Sequence, residues 1–211
     1  MHTRVNDYLN WYYDTGVWAN TTYMGVSCRK LVTDLWSYQE ILCKLRPSIV
    51  FEAGIFQGGS TLFFAHTLER ITSKCKVLGV DLSLSQVHPL VIANPNIELM
   101  ACSSIDKCVS NRLKSLRIEF PGPIFAILDS DHHKPHVLAE LLMLRDILHQ
   151  GDYLVVEDTI IGHPILTGFG PGPFEALEDY FKMHPNDYRR DQEREDKFGM
   201  TIAPSGFLIR L

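Results

Sequence analysis

The chain has 211 residues, 45% of them hydrophobic and 21% charged, a balance that excludes a disordered chain and suits one globular domain. A total of 20 Lys and Arg against 25 Asp and Glu leaves a net charge of -5, which argues against a nucleic-acid binder. No apolar run approaches the roughly 18 residues of a membrane-spanning helix, and residues 1–10, with Arg4, Asn6 and Asp7, lack the apolar core of a secretory signal, so neither a membrane partner nor export is expected.

The first 35 residues are rich in aromatics (Trp11, Tyr12, Tyr13, Trp18, Tyr23) and show little period. They are expected to be a cover or lid, residues 1–35, over a single main domain, residues 36–211. An amphipathic helix is predicted over 34–45, stopped by Pro47. The apolar run 48–54 predicts a buried strand ending in a glycine turn, followed by a helix over 60–71. Further strands are predicted over 76–81, 97–101, 123–129 and 153–157. Helices are predicted over 105–118, over 137–150 with Gly151 as C-cap, and over 174–183. Residues 198–202 and 206–210 predict a closing hairpin turned at Pro204-Ser205. The charged run 188–197 predicts a solvated loop or helix face. Continuously apolar strands alternating with helices indicate an α/β fold, a doubly wound Rossmann-like sheet that is mostly parallel with an antiparallel C-terminal strand pair.

Ligands bind outside the carboxyl ends of such strands. Those ends carry Glu52, Gly54, Gly58, Gly59 and Ser60, then Asp81, then Ser103 and Ser104, then Asp129, Asp131, His132 and His133, then Glu157 and Asp158. Glycines let a backbone turn closely around a ligand, and a carboxylate ending the next strand can accept from both hydroxyls of a ribose. Gly54 with Asp81 therefore suggests an adenosine-containing cofactor. Asp129, Glu157 and Asp158 can converge, and three uncompensated carboxylates call for a hard divalent cation such as Mg2+. His132 would stand at the rim of that site, where a neutral imidazole can take a proton. Asp131 is expected to be a plain loop residue and His136 a surface or capping residue. The Gly/Pro-dense segment 161–173 is either a substrate-facing loop or a plain connection. The five cysteines, Cys28, Cys43, Cys75, Cys102 and Cys108, show no CxxC spacing and no HExxH motif occurs, so neither a disulfide framework nor zinc is expected, and a reducing cytoplasm is the expected compartment.

Together, residues 34–40, 52–60, 80–81, 128–132, 151–158, 170–173 and 206–210 make the chain resemble class I S-adenosylmethionine-dependent methyltransferases. More narrowly, it resembles the metal-dependent family often labelled cephalosporin hydroxylase, with relatives among macrolide-sugar and rhamnosyl O-methyltransferases. The resemblance implies that Gly54, Phe56 and Ser60 hold the methionine part of the cofactor, with Glu52 and Asp129 in the same set. It places Asp81 on ribose and Ser103 and Ser104 beside adenine. It assigns Asp129, Glu157 and Asp158 to the metal, and His132, with Asp129, to catalysis. Catechol-type relatives carry a lysine at the offset of His132. The chain departs from the pattern at Ala101-Cys102, where a Gly-Ser or Gly-Ala is usual. An oligomer built through the N-terminal extension of larger relatives is not expected, and a homo-oligomer of another kind is left open.

The resulting expectation is a Mg2+-dependent O-methyltransferase acting on a hydroxyl of a small molecule, a sugar or other natural product. Two alternatives stay open. A nicotinamide oxidoreductase would explain Gly54 and Asp81 but leave the acidic cluster idle. A non-catalytic helper of a biosynthetic enzyme would need neither the metal set nor the base.

Overall fold

The computed structural model describes residues 3–161 and 168–211. The chain opens with helix α1 (Thr3–Asp14), a 3-10 turn (Val17–Asn20) and a two-stranded hairpin, β1 (Thr22–Tyr23) and β2 (Val26–Ser27). Helix α2 (Val32–Leu45) leads into β3 (Ile49–Ala53), α3 (Gly59–Ile71), β4 (Lys76–Asp81), a short α4 (Pro89–Ile92) and β5 (Ile97–Ala101). Then come α5 (Lys107–Glu119), β6 (Ile124–Leu128), α6 (Lys134–Arg145), β7 (Tyr153–Val156), α7 (Pro173–Met183), β8 (Tyr188–Arg190), α8 (Gln192–Asp196) and β9 (Phe207–Arg210).

The main sheet runs β5-β4-β3-β6-β7-β9-β8. Its first five strands pair in parallel, and β9 lies antiparallel between β7 and β8. Strands covered on both faces need apolar side chains at every position, which explains the unbroken apolar runs. Along β3 and β6, Ile49, Phe51, Ile124 and Ala126 pack towards α5, α6 and α7. Their alternates Val50, Phe125 and Ile127 pack against Tyr38, Ile41 and Leu42 of α2 and Phe64 of α3. A smaller cluster of Leu9, Tyr12, Leu31, Ile160 and Ile202 fastens the N-terminal segment onto the C-terminal half. Among the described residues, no helix is long and apolar enough to cross a membrane.

Several expectations change. Residues 35 and 36, the expected division between cover and domain, both lie inside α2. Residues 198–202 form no strand: Asp34 at the start of α2 accepts from the Ile202 amide, a donor that a ladder would need, and from the Thr201 hydroxyl, each at 3.0 Å. The antiparallel partner of β9 is instead β8, inside the run expected to be a solvated loop, where Tyr188 is buried under the sheet. Helix α6 stops at Arg145, and Gly151, at φ +90°, shapes a later turn whose amide reaches the Arg210 carbonyl at 2.9 Å. Part of the 161–173 segment, with His163, lies outside the described residues.

The strand order reverses between β3 and β6, so loops on opposite sides of that point part and leave a crevice at the carboxyl edge. Gly54 and Asp129 meet there. The Asp129 amide bonds to the Ala53 carbonyl at 2.9 Å, and a Cβ on Gly54, at φ +83°, would overlap the Asp129 carbonyl. Glycine at this position is required by backbone packing between two strand ends.

Candidate active site

A cavity of about 620 Å³ occupies this crevice. Gly54, Phe56, Ser60, Asp81, Ser103, Ser104, Asp129, His132 and Asp158 all line it. Glu52 and Glu157 do not. Both are buried behind the wall.

Asp81 ends β4 and turns its carboxylate back onto the glycine turn. Its Oδ2 accepts from the amides of Ile55 at 3.1 Å and Phe56 at 2.9 Å, and its Oδ1 accepts from Ser83 at 3.3 Å. The residue expected to bind ribose therefore also fixes the turn that precedes α3. Gly59 serves a different purpose from the expected ligand approach. A Cβ there would overlap the Ser27 carbonyl, so the glycine admits the segment that follows β2.

Ser103 is half-buried in the wall beyond β5, whereas the buried Ser104 turns to Glu140 of α6 and to His136, whose Nε2 is 2.9 Å from its hydroxyl. Glu140 also accepts from Ser130 at 2.6 Å. His136 is thus a wall residue, not the surface or capping group expected, and its hydrogen bond with Glu140 raises its pKa.

Period-two alternation decides the acidic cluster. Val50 and Glu52 of β3 share a face, as do Phe125, Ile127 and, just past β6, Asp129, and Val155 and, just past β7, Glu157. Three carboxylates therefore point to the α2 side at the sheet's carboxyl edge. Lys30, only 1% exposed, enters there from the segment between β2 and α2. Its ammonium pairs with Asp129 and lies 3.5 Å from Glu157 Oε1 and 4.0 Å from Glu52 Oε1. The cluster is not uncompensated, as its sequence suggests. Burial pushes Lys30 towards its neutral form, but Asp129, Glu157 and Glu52 outweigh it and hold its pKa well above the ordinary lysine value. Burial raises the pKa of Asp129 and Glu157 against the opposing pull of Lys30. Glu52 is pushed up to about 7 by burial, opposed by Lys30 and by bonds from the Ser60 and Thr61 hydroxyls.

Glu157 is turned away from the cavity and accepts from the Tyr38 hydroxyl at 2.6 Å. At this edge of the cavity, among the described residues, the ligating atoms of Asp129, His132 and Asp158 lie within 4.8 Å of one another, a set that differs from the three acids expected. His132 Nε2 stands 3.4 Å from Asp158 Oδ2, and Tyr13 donates to Asp158 Oδ1 at 3.0 Å. Asp158 holds φ +54°, in the left-handed region that Asp tolerates better than most residues, and lines the cavity. His133 leaves the site: its Nδ1 bonds to Asp131 at 2.6 Å and its ring lies against Phe169 with centroids 4.6 Å apart.

The sequence missed Lys30, Tyr13 and Tyr38 as site residues. Tyr12, Tyr13 and Trp18 line the cavity, so the aromatic cover takes part in the site. The sequence holds no local signal that singles out Lys30: it stands beside Arg29, between the buried Cys28 and Leu31.

The residues fit the groups their family would bring. The carboxylates of Asp129 and Asp158, with ligating oxygens within 4.8 Å of each other at the cavity wall, suit a hard divalent cation. A cavity of about 620 Å³ walled by a glycine turn and an acidic strand end suits a nucleoside-sized ligand. A family model described as Rhamnosyl O-methyltransferase/CmcI matches residues 15–211. The chain is 52% identical over 205 residues to a rhamnosyl O-methyltransferase of Mycobacterium tuberculosis, covering 97% of this chain and 84% of that protein. It is 48% identical over 205 residues to a rhamnosyl O-methyltransferase of Mycobacterium leprae, covering 97% of this chain and 89% of that one. A solved CmcI structure with Mg-SAM shares the fold, with a TM-score of 0.73 at 22% identity over 92% of this chain and 77% of that chain. Matched along almost its whole length, the chain belongs to the rhamnosyl O-methyltransferase/CmcI family.

Proposed function

We propose that the protein transfers the methyl group of S-adenosylmethionine to a hydroxyl of a rhamnosyl-type sugar, with His132 as general base and a divalent cation, Mg2+ or a similar ion, beside it. The observation that carries this reading is the placement of His132 Nε2 3.4 Å from Asp158 and within 4.8 Å of the Asp129 ligand atom, at the cavity wall. An imidazole there reaches the proton of a hydroxyl drawn to the acidic cluster. Gly54, Phe56 and Ser60 would hold the methionine part, Asp81 the ribose, and Ser103 and Ser104 the adenine end. Asp129 and Asp158 would supply the anionic oxygens around the cation, with Glu157 behind them in the buried cluster; the cation's chemistry would be to lower the pKa of the acceptor hydroxyl.

The chain's own residues then do three things. Asp81 keeps the Ile55 and Phe56 amides in place, so the turn that faces the cofactor is preformed. His132 would take the proton of the acceptor hydroxyl at Nε2, and the cofactor, when bound, would supply the methyl group that the hydroxyl oxygen accepts. Tyr12, Tyr13 and Trp18 cover the cavity and keep water from a reaction in which opposite charges cancel. The test has two arms. S-adenosylhomocysteine, and not NADH, should bind and raise the melting temperature. Labelled methyl groups should pass to rhamnose-bearing acceptors in the presence of Mg2+ and not in EDTA. Failure of S-adenosylhomocysteine to bind, or full turnover in chelator, overturns the reading.

A further inference from the structure

Lys30 is a buried ammonium facing three carboxylates. It belongs to none of the roles above. The offset at which catechol-type relatives carry a lysine is filled here by His132, and Lys30 is a separate residue that bonds to Asp129. Its place is built into the chain. The Ser27 carbonyl packs where Gly59 lacks a side chain, and the Cys28 amide bonds to the Thr21 carbonyl at 2.9 Å. The segment is thus anchored immediately before Lys30. Three carboxylates face this one cation, so the cluster keeps an acidic surplus that a divalent cation can offset.

We infer that Lys30 is a positioning residue of the methyl-transfer site: a built-in counter-charge that keeps Asp129 and Glu157 side by side in the buried cluster and sets how strongly the cluster attracts a divalent cation. The inference rests on the proposed function for the identity of that cation. A like charge this near the cation repels it, and at short range that repulsion is large even when screened. Lys30 therefore trades metal affinity for a cluster that stays ordered without metal.

Isothermal titration with Mg2+ tests the charge. Lys30→Met, which keeps the length and loses the charge, should bind Mg2+ at least roughly tenfold more tightly than wild type. Lys30→Arg, which keeps the charge, should match wild type. A purely structural lysine would leave Mg2+ affinity unmoved in both, and equal or weaker binding by Lys30→Met overturns the inference. In EDTA, Lys30→Met should melt roughly 10 °C below wild type, because it strands buried carboxylates, and excess Mg2+ should restore more of that loss than it adds to wild type. If wild type takes up no Mg2+, the metal part of the proposed function fails, and the EDTA comparison alone decides Lys30: an unchanged melting temperature overturns its role as counter-charge. If Lys30→Met cannot be recovered, Lys30→Met combined with Glu157→Gln removes one charge of each sign and should fold. A double variant that also fails overturns the charge account.

Discussion

Glu52 offers a direct measurement of the electrostatics behind the site. It sits in mid-β3 with no exposure, accepts from Thr61 at 2.6 Å, and has one oxygen without a hydrogen-bond partner. Burial outweighs Lys30 and lifts its pKa from 4.5 to about 7. A carboxyl whose folded pKa is raised binds more protons in the folded than in the unfolded chain between those two values. Its stabilising contribution is therefore present at low pH and is lost as pH rises from 4.5 through about 7. Linkage across that interval gives about 2.5 kcal/mol between pH 5 and pH 8. Glu52→Gln abolishes this titration, so its stability relative to wild type should grow by that amount over the same range. Urea unfolding in EDTA at several pH values reads the difference directly. Curves for the two proteins that stay parallel would falsify the burial argument, and a relative stability of the variant that falls with pH would reverse its sign.

Three further outcomes follow from the geometry. His132→Ala should lower turnover by roughly 10²–10⁴-fold with S-adenosylhomocysteine affinity kept, while His133→Ala, facing Asp131 and Phe169, should stay active; the reverse pattern would move the base by one residue. Asp81→Ala should weaken S-adenosylhomocysteine binding by about 2–3 kcal/mol in calorimetry and also lower the melting temperature, because the same carboxylate holds the Ile55 and Phe56 amides; weakened binding with unchanged stability would separate the two roles. Gly54→Ala should destabilise the protein by more than the roughly 1–2 kcal/mol of a left-handed backbone alone, since its Cβ meets the Asp129 carbonyl, and denaturant unfolding that shows a smaller loss would contradict the close approach of the two strand ends.

Much of this protein is legible in its sequence. Strands covered on both faces must be apolar throughout, so the runs ending at Glu52, Asp81, Asp129 and Glu157 announce a parallel sheet, and the acids at their ends announce where ligands go. The motifs around Gly54, Asp129 and Glu157 carried the family resemblance, which the match over residues 15–211 bears out. The tertiary structure decided what those acids face. Alternation turns Glu52 and Glu157 to the α2 side, but their partners come from far along the chain: Tyr38 lies 119 residues from Glu157 and Lys30 lies 99 residues from Asp129. It also decided that β8, and not residues 198–202, flanks β9, with the Ile202 amide bonded to Asp34 instead. Local pattern fixes the face a side chain takes, because backbone geometry is local. The charge that waits on that face is set by packing between distant segments, and a lysine in an aromatic leader carries no local mark of the carboxylates it will meet.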